Sequence, residues 1–296
     1  GYRALTANTT GNNNVAVGYD AGRSITTGGQ NTVVGTLALD ANVGGDDNVA
    51  IGYQALGALT TNNGNIAKSR NLGISNSTGE YLAFLDSDDY WKSNKLEICI
   101  DYLNLNKKYL GVCHSEDWLS KGDITIRNYG PEKNFTFQKL LNRGNCVSLS
   151  AMVVKKSIVI DVNNFSENKE FITAEDYDLW IKLAKNNHKI GFINKSLGTY
   201  QIHEDSESSN ILKNTSAIVN VINKYLKNDD VLLKKALSNC WLNTGKVLYI
   251  NNKKYESLMS YINSIKYMAF NFKAYIHILF LIIPYKIIKP VINKNQ

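Results

Sequence analysis

The sequence predicts an α/β domain that follows a short β-solenoid and leads into a basic, helical tail. Three observations predict this. The opening segment repeats with a period of 17, strand-like and helix-like runs alternate after Asn65, and lysine accumulates among aliphatic and tyrosine side chains towards the end.

The repeat comes first in the chain. Asn14, Asn31, Asn48 and Asn65 share one phase, and Val17, Val34 and Ile51 a second. Gly1, Gly18, Gly35 and Gly52 share a third, and Ala4, Ala21, Ala38 and Ala55 a fourth. Each unit reads as a short apolar strand (VAVG, TVVG, VAIG) with a polar, glycine-rich return. One unit cannot bury its own apolar face, so the coils are expected to stack, strand on strand, with the asparagines laddered at a turn. The composition then changes: the first lysine is Lys68, and 12 of the 21 glycines lie within residues 1–65. The expected divisions are therefore 1–65 for the repeats, 66–210 for the α/β domain and 211–296 for the tail.

In the α/β part, residues 66–75 have helical spacing, broken by Ser77, Thr78 and Gly79. Residues 81–85 form a short apolar strand that runs into acids. Residues 94–106 are an amphipathic helix with Leu96, Cys99, Ile100 and Leu103 on one face. Further strands are expected at 110–115 and 150–154, with helices at 135–141 and 174–184. A strand pair around Lys195 and Ser196 is expected over 190–202. Alternation of this kind favours a mostly parallel sheet with its sites at strand C-terminal ends.

Composition bounds the function. With 296 residues, 44% of them hydrophobic, the chain can build real cores. Four scattered cysteines exclude a disulfide scaffold and suit a reducing compartment. No signal peptide is visible, and an opening at Gly1 suits a fragment. The apolar run at 276–284 is far shorter than the roughly 20 residues of a spanning helix. The net charge of +7 is uneven: residues 1–209 hold 20 basic and 23 acidic side chains, and residues 210–296 hold 13 and 3. A basic, aliphatic tail suits an anionic membrane surface, and no nucleic-acid module is present.

Two acidic clusters could carry chemistry. Asp86-Ser87-Asp88-Asp89 follows the strand YLAFL, and carboxylates this close repel one another unless a cation neutralises them. Asp86 and Asp88 can project to one side, where oxygen ligands suit Mg²⁺ or Mn²⁺ carrying a diphosphate. The alternative is a helix N-terminus capped by Asp89 or Ser93. In Glu175-Asp176-Tyr177-Asp178-Leu179-Trp180, Asp176 shares a helical face with Leu179 and Leu183, a position suited to a general base. The alternative is a first turn enriched in acids for dipole reasons. Trp180 reads as core packing, with sugar stacking as the other option. His203 reads as a surface or capping residue, or as a metal ligand.

Taken together, AKSRNLGISNSTGEYLAFLDSDDYW, AEDYDLWIKLA and GTYQIHEDS resemble, in order and spacing, the family 2 glycosyltransferases of the GT-A (Rossmann-like) fold, over residues 66–210. The resemblance implies a DxD motif in which Asp88 is the main metal ligand and Asp86 lies near metal and ribose. It implies Asp176 as catalytic base, Glu175 near the acceptor, Arg70 near the donor, and His203 near the metal or diphosphate. The implied reaction is metal-dependent, inverting transfer from a nucleotide-diphosphate sugar, a UDP-sugar above all, to a glycan or lipid-linked acceptor. A basic, membrane-facing tail implies a cytoplasmic enzyme held peripherally on the inner face of a membrane.

The chain departs from the family in two places. The nucleotide-binding first half of the domain, with its PTYN-like and DDGS-like phrases, is replaced by the repeats, so the GT-A domain reads as truncated. Gln201 stands where the family often has arginine, which removes a possible phosphate contact. The phrases NNNVAVGYDAG and NVAIGYQAL resemble the head repeats of trimeric autotransporter adhesins and tail fibres, which implies a homotrimer. The alternative function is therefore a structural or attachment protein carrying an inert transferase remnant.

Overall fold

The computed structural model describes residues 1–45, 49–51, 66–86, 88–120, 122–202 and 210–281. It divides into two compact units, Gly1–Asn76 and Ser77–Gln296. Helix α1 (Ile66–Asn76) belongs to the first of these units.

In the first unit, β1 (Val15–Val17), β2 (Thr32–Val34) and β3 (Val49–Ile51) form a three-stranded parallel sheet in chain order. Val15 pairs with Thr32, and Thr32 with Val49, so the register is the sequence period. The backbone repeats as well. Arg3, Asp20 and Leu37 have φ of 56°, 54° and 58°, and Leu5, Gly22 and Leu39 have 53°, 58° and 49°. Bulky residues rarely adopt this region, so the turn shape recurs even where the side chain does not favour it. A Cβ on Gly18 would lie 2.5 Å from the carbonyl oxygen of Gly35, which explains the glycine phase: backbone meets backbone there. Ala21, Ile25, Val33, Ala38, Leu39 and Ala50 fill the interior.

The asparagines replace apolar packing with hydrogen bonds. Asn14 Nδ2 donates to Gly28 O (2.7 Å), and one coil on, Asn31 Nδ2 donates to Gly45 O (2.7 Å) and to Asn14 Oδ1 (2.9 Å). Asn31→Ala is expected to destabilise this unit by about 1–3 kcal/mol, because it strands the buried Gly45 carbonyl, while Asn14 Oδ1 keeps the Asn31 backbone N–H. Protease protection of the unit checks this; unchanged protection would rule it out.

The second unit begins with β4 (Tyr81–Ala83), β5 (Tyr90–Trp91) and α2 (Lys95–Leu105), then the hairpin β6 (Gly111–Ser120) and β7 (Asp123–Arg127). Next come α3 (Phe137–Arg143), β8 (Met152–Lys155), α4 (Lys156–Asp161), α5 (Glu175–Lys185) and β9 (Ile190–Gln201). Four helices follow: α6 (Ile211–Leu226), α7 (Asp230–Ile250), α8 (Lys254–Tyr267) and α9 (Phe272–Phe280). The strand order is β4-β8-β6-β9-β5, with β7 paired to β6.

Three expectations are corrected here. The sheet is mixed: only β6 and β9 run parallel, and every other pair is antiparallel. Strand–helix alternation orders elements but does not set their direction, and the apolar β8 (MVVK) enters between β4 and β6 against both. The region 190–202 is one strand, not a pair. Its turn-like residues Asn194 and Lys195 fall where the β6–β9 register shifts, so they are absorbed as a bulge. On α2, Leu96 faces out, whereas Lys95, Cys99 and Leu103 are buried.

The core beside the sheet joins Cys99, Leu103, Tyr109, Val112, Val153 and Leu197. Helices α6 and α7 belong to the same compact unit as the sheet and pack on α5 and α3. Buried Asp178 on α5 accepts from Lys224 Nζ (2.7 Å) and Tyr225 OH (2.8 Å) of α6. Among the described residues, no helix is long and apolar enough to cross a membrane.

Candidate active site

The acidic cluster sits just past the C-terminal end of β4, and its carboxylates divide by burial. Asp86 and Asp88 are half-buried, whereas Asp89 is 5% exposed. Asp89 Oδ1 accepts from the Gln201 backbone N–H at 3.1 Å, which ties the cluster to the end of β9. Burial raises the Asp89 pKa, opposed by hydrogen bonds from Ser150 and Gln201. Capping is not its role: the N-cap of α2 is Asn94, with no side-chain cap bond. Two hard oxygen donors, Asp86 and Asp88, thus remain half-open to solvent, a donor set that fits a small divalent ion completed by water and phosphate oxygens. Among the described residues, no three His, Cys, Asp or Glu side chains form a cage by themselves. His203, the third expected ligand, lies outside the described residues, as does Ser87.

Ser150 anchors this cluster from below. Its Oγ accepts from Asp86 N (3.1 Å), and its carbonyl accepts from Trp91 Nε1 (2.9 Å) and Lys95 Nζ (2.8 Å). Lys95 Nζ also stands 3.5 Å from the centroid of the Trp91 ring. Burial brings the Lys95 ammonium down to about 7, although Cys99 and Glu116 oppose that fall. Glu116 on β6 accepts from Tyr129 OH (2.7 Å), and burial pushes its carboxyl up to about 7. His114 Nδ1 lies 2.7 Å from Ser115 O, and burial lowers its pKa to about 4, so the ring is neutral at pH 7. Ser150, Lys95, Glu116 and His114 were not singled out from the sequence. A signal existed for Lys95, since 95, 99 and 103 form one stripe at helical spacing.

The burial of Glu116 has a measurable consequence. Its folded-state pKa is raised, so its contribution to stability is full below the ordinary carboxyl range and is lost as pH rises through about 7. Glu116→Gln should remove up to about 3 kcal/mol of that loss between pH 5 and 8. Urea melts at both pH values decide it, and an unchanged pH dependence would refute it.

At the second cluster, burial falls on Glu175 and Asp178, while Asp176 is half-buried. Asp176 Oδ1 accepts from Tyr177 N (2.6 Å), and Oδ2 accepts from Asn145 Nδ2 (3.3 Å). Asn145 and Ser150 belong to one loop between α3 and β8, so a single short segment holds Asp86 at one end and Asp176 at the other. Five residues of extended chain span at most about 18 Å, which bounds the separation of the two anchors. Trp180 is fully buried and serves the core. Arg70 lies on α1 and is described with the first unit.

Comparison with known proteins shows what part of the chain is similar to. Residues 58–159 match the model of glycosyl transferase family 2. The chain is 30% identical over 167 residues to the Escherichia coli UDP-Glc:alpha-D-GlcNAc-diphosphoundecaprenol beta-1,3-glucosyltransferase WfgD, covering 55% of this chain and 61% of that protein. It is 27% identical over 164 residues to the E. coli enzyme WfaP, which carries the same description, covering 53% and 59%. The chain thus spans about three fifths of the length of these two relatives. Among solved structures, residues 1–349 of S. aureus TarS align at 14% identity with a TM-score of 0.47, over 75% of this chain and 64% of that one.

Proposed function

We propose that this chain is an inverting, metal-dependent glycosyltransferase of GT-A type, which moves a sugar from a UDP-sugar to a lipid-linked saccharide. The observation that carries the reading is the shared loop: Ser150 holds Asp86 and Asn145 holds Asp176. Donor-side carboxylates and an acceptor-side base are thereby fixed on one segment. The names of WfgD and WfaP supply the substrate class, a UDP-linked glucose and a diphosphate-linked acceptor.

Asp86 and Asp88 would hold the divalent ion, which when bound neutralises charge on the leaving diphosphate. Asp176 removes the proton from the acceptor hydroxyl, with its carboxylate oriented by Tyr177 N–H and Asn145. The hydroxyl oxygen attacks the anomeric carbon, the bond to the diphosphate breaks on the opposite face, and configuration inverts. Glu175 borders the acceptor, and Arg70 and His203 are read as donor-side contacts.

The test is UDP release from UDP-glucose with Mn²⁺ or Mg²⁺ and an α-GlcNAc-diphospholipid acceptor. Acceptor-dependent release that EDTA stops supports the reading; no release with any UDP-sugar refutes it.

The tail and the repeats extend this reading. On α9, Phe272 and Leu279 are exposed beside Lys273, a pattern suited to the inner face of an anionic membrane. Residues 282–296, which hold the rest of that basic stretch, lie outside the described residues. Co-flotation with anionic vesicles supports membrane docking, and its absence counts against it. For the first unit, the resemblance of its repeats to those of trimeric adhesins and tail fibres implies a homotrimer, and the exposed Val15 and Val17 of β1 offer an apolar face for it. Sedimentation equilibrium distinguishes a trimer from a monomer.

A further inference from the structure

Beneath the acidic cluster lies a cation whose burial needs a reason. Lys95 is 1% exposed, and a buried ammonium is costly unless its surroundings compensate. A leucine or methionine would fill the same stripe beside Cys99 and Leu103 without that cost. What the ammonium does there is hold one peptide: it donates to the Ser150 carbonyl at 2.8 Å, and the Trp91 indole N–H donates to the same oxygen at 2.9 Å. The Trp91 ring lies against the ammonium at 3.5 Å. Ser150, itself buried, then accepts the Asp86 backbone N–H on its Oγ. The path from Lys95 to Asp86 is therefore two hydrogen bonds through a single residue.

We propose that Lys95 is a positioning residue for the Asp86–Asp88 carboxylates, acting through the Ser150 peptide. The ammonium fixes the Ser150 carbonyl, which sets the Oγ that receives Asp86 N–H and so fixes the backbone on which Asp86 and Asp88 are carried. The carboxylate that its charge reaches is that of buried Glu116 on β6. The functional part of the proposal rests on the reading of Asp86 and Asp88 as the metal and diphosphate site; the positioning part does not.

The experiment has two readouts. The first needs no ligand: hydrogen–deuterium exchange of the peptide spanning residues 84–91, in the wild type, Lys95→Met and Ser150→Ala. Both variants are expected to speed exchange of the Asp86 amide about five-fold or more, since each breaks the path at a different point. Ser150→Ala is the positive control, since it removes the Asp86 acceptor itself; unchanged exchange in Lys95→Met overturns the proposal, and Lys95→Leu takes its place if Lys95→Met fails to fold. The second readout is titration with UDP and Mn²⁺. Lys95→Met is expected to lower affinity about ten-fold while thermal stability holds or rises, because an isosteric apolar side chain relieves the buried charge. A merely structural lysine would give the reverse, lower stability with affinity kept, and that result overturns the proposal. If the wild type binds no UDP, the donor-site reading falls, and the exchange result alone decides whether Lys95 positions Asp86.

Discussion

Asp88→Asn is expected to reduce the transfer rate by about three orders of magnitude, equivalent to about 4 kcal/mol of transition-state stabilisation, while leaving the fold intact. Asp88 is half-exposed, and the change to asparagine preserves volume while removing one of the two carboxylates of the proposed divalent-ion site. Stability should stay within about 0.5 kcal/mol or rise, since repulsion among Asp86, Asp88 and Asp89 is relieved. Asp89→Asn is the control. Its carboxylate is turned inward to Gln201 N–H, a bond that an amide oxygen can also accept, so metal-dependent UDP binding should fall no more than about three-fold. Calorimetric titration of both variants with UDP and Mn²⁺ separates them. If Asp89→Asn abolishes binding and Asp88→Asn does not, the roles assigned within the cluster are wrong.

The second large effect sets two carboxylates, two residues apart, against each other. On the role proposed for Asp176 as acceptor base, Asp176→Asn should cut kcat by about 10³-fold or more with KM for donor nearly unchanged. Its melting temperature should barely move. Asp178→Asn should do the opposite. Asp178 is fully buried and holds Lys224, Tyr225 and, at 3.6 Å, Lys182, so removing its charge leaves ammonium groups against a neutral partner. Breaking such a pair costs about 3–5 kcal/mol, which should loosen α6 from α5. Denaturant melts and single-turnover rates on the two variants check both halves. Equal loss of stability in the two would contradict the division of labour.

How much of this was legible differs by element. The 17-residue phase of Asn14, Asn31, Val17 and Val34 gives the parallel register of β1 and β2 directly, because residues one period apart are the ones that pair. Helices α2 and α5 were legible from periodicity to within a residue or so at each end. The hairpin of β6 and β7 was missed, since Asp123–Arg127 is exposed along its length and carries no alternation of buried and open positions. The acids of both clusters were legible, but not which of them would be buried. Asp86, Asp88 and Asp89 look alike in sequence, and only the approach of Gln201 N–H from β9 separates Asp89 from the other two.

The sequence by itself determined the repeat, the acidic clusters and the family resemblance, because each is a local pattern of residue types at fixed spacing. The tertiary structure alone decided the strand directions, the inward turn of Asp89 and Lys95, and the loop that ties Asp86 to Asp176. Those depend on partners far away in the chain: Ser150 is 64 residues from Asp86, and Asn145 is 31 from Asp176. Burial, which separates a carboxylate that holds a fold together from one left to do chemistry, exists only after such distant segments have met.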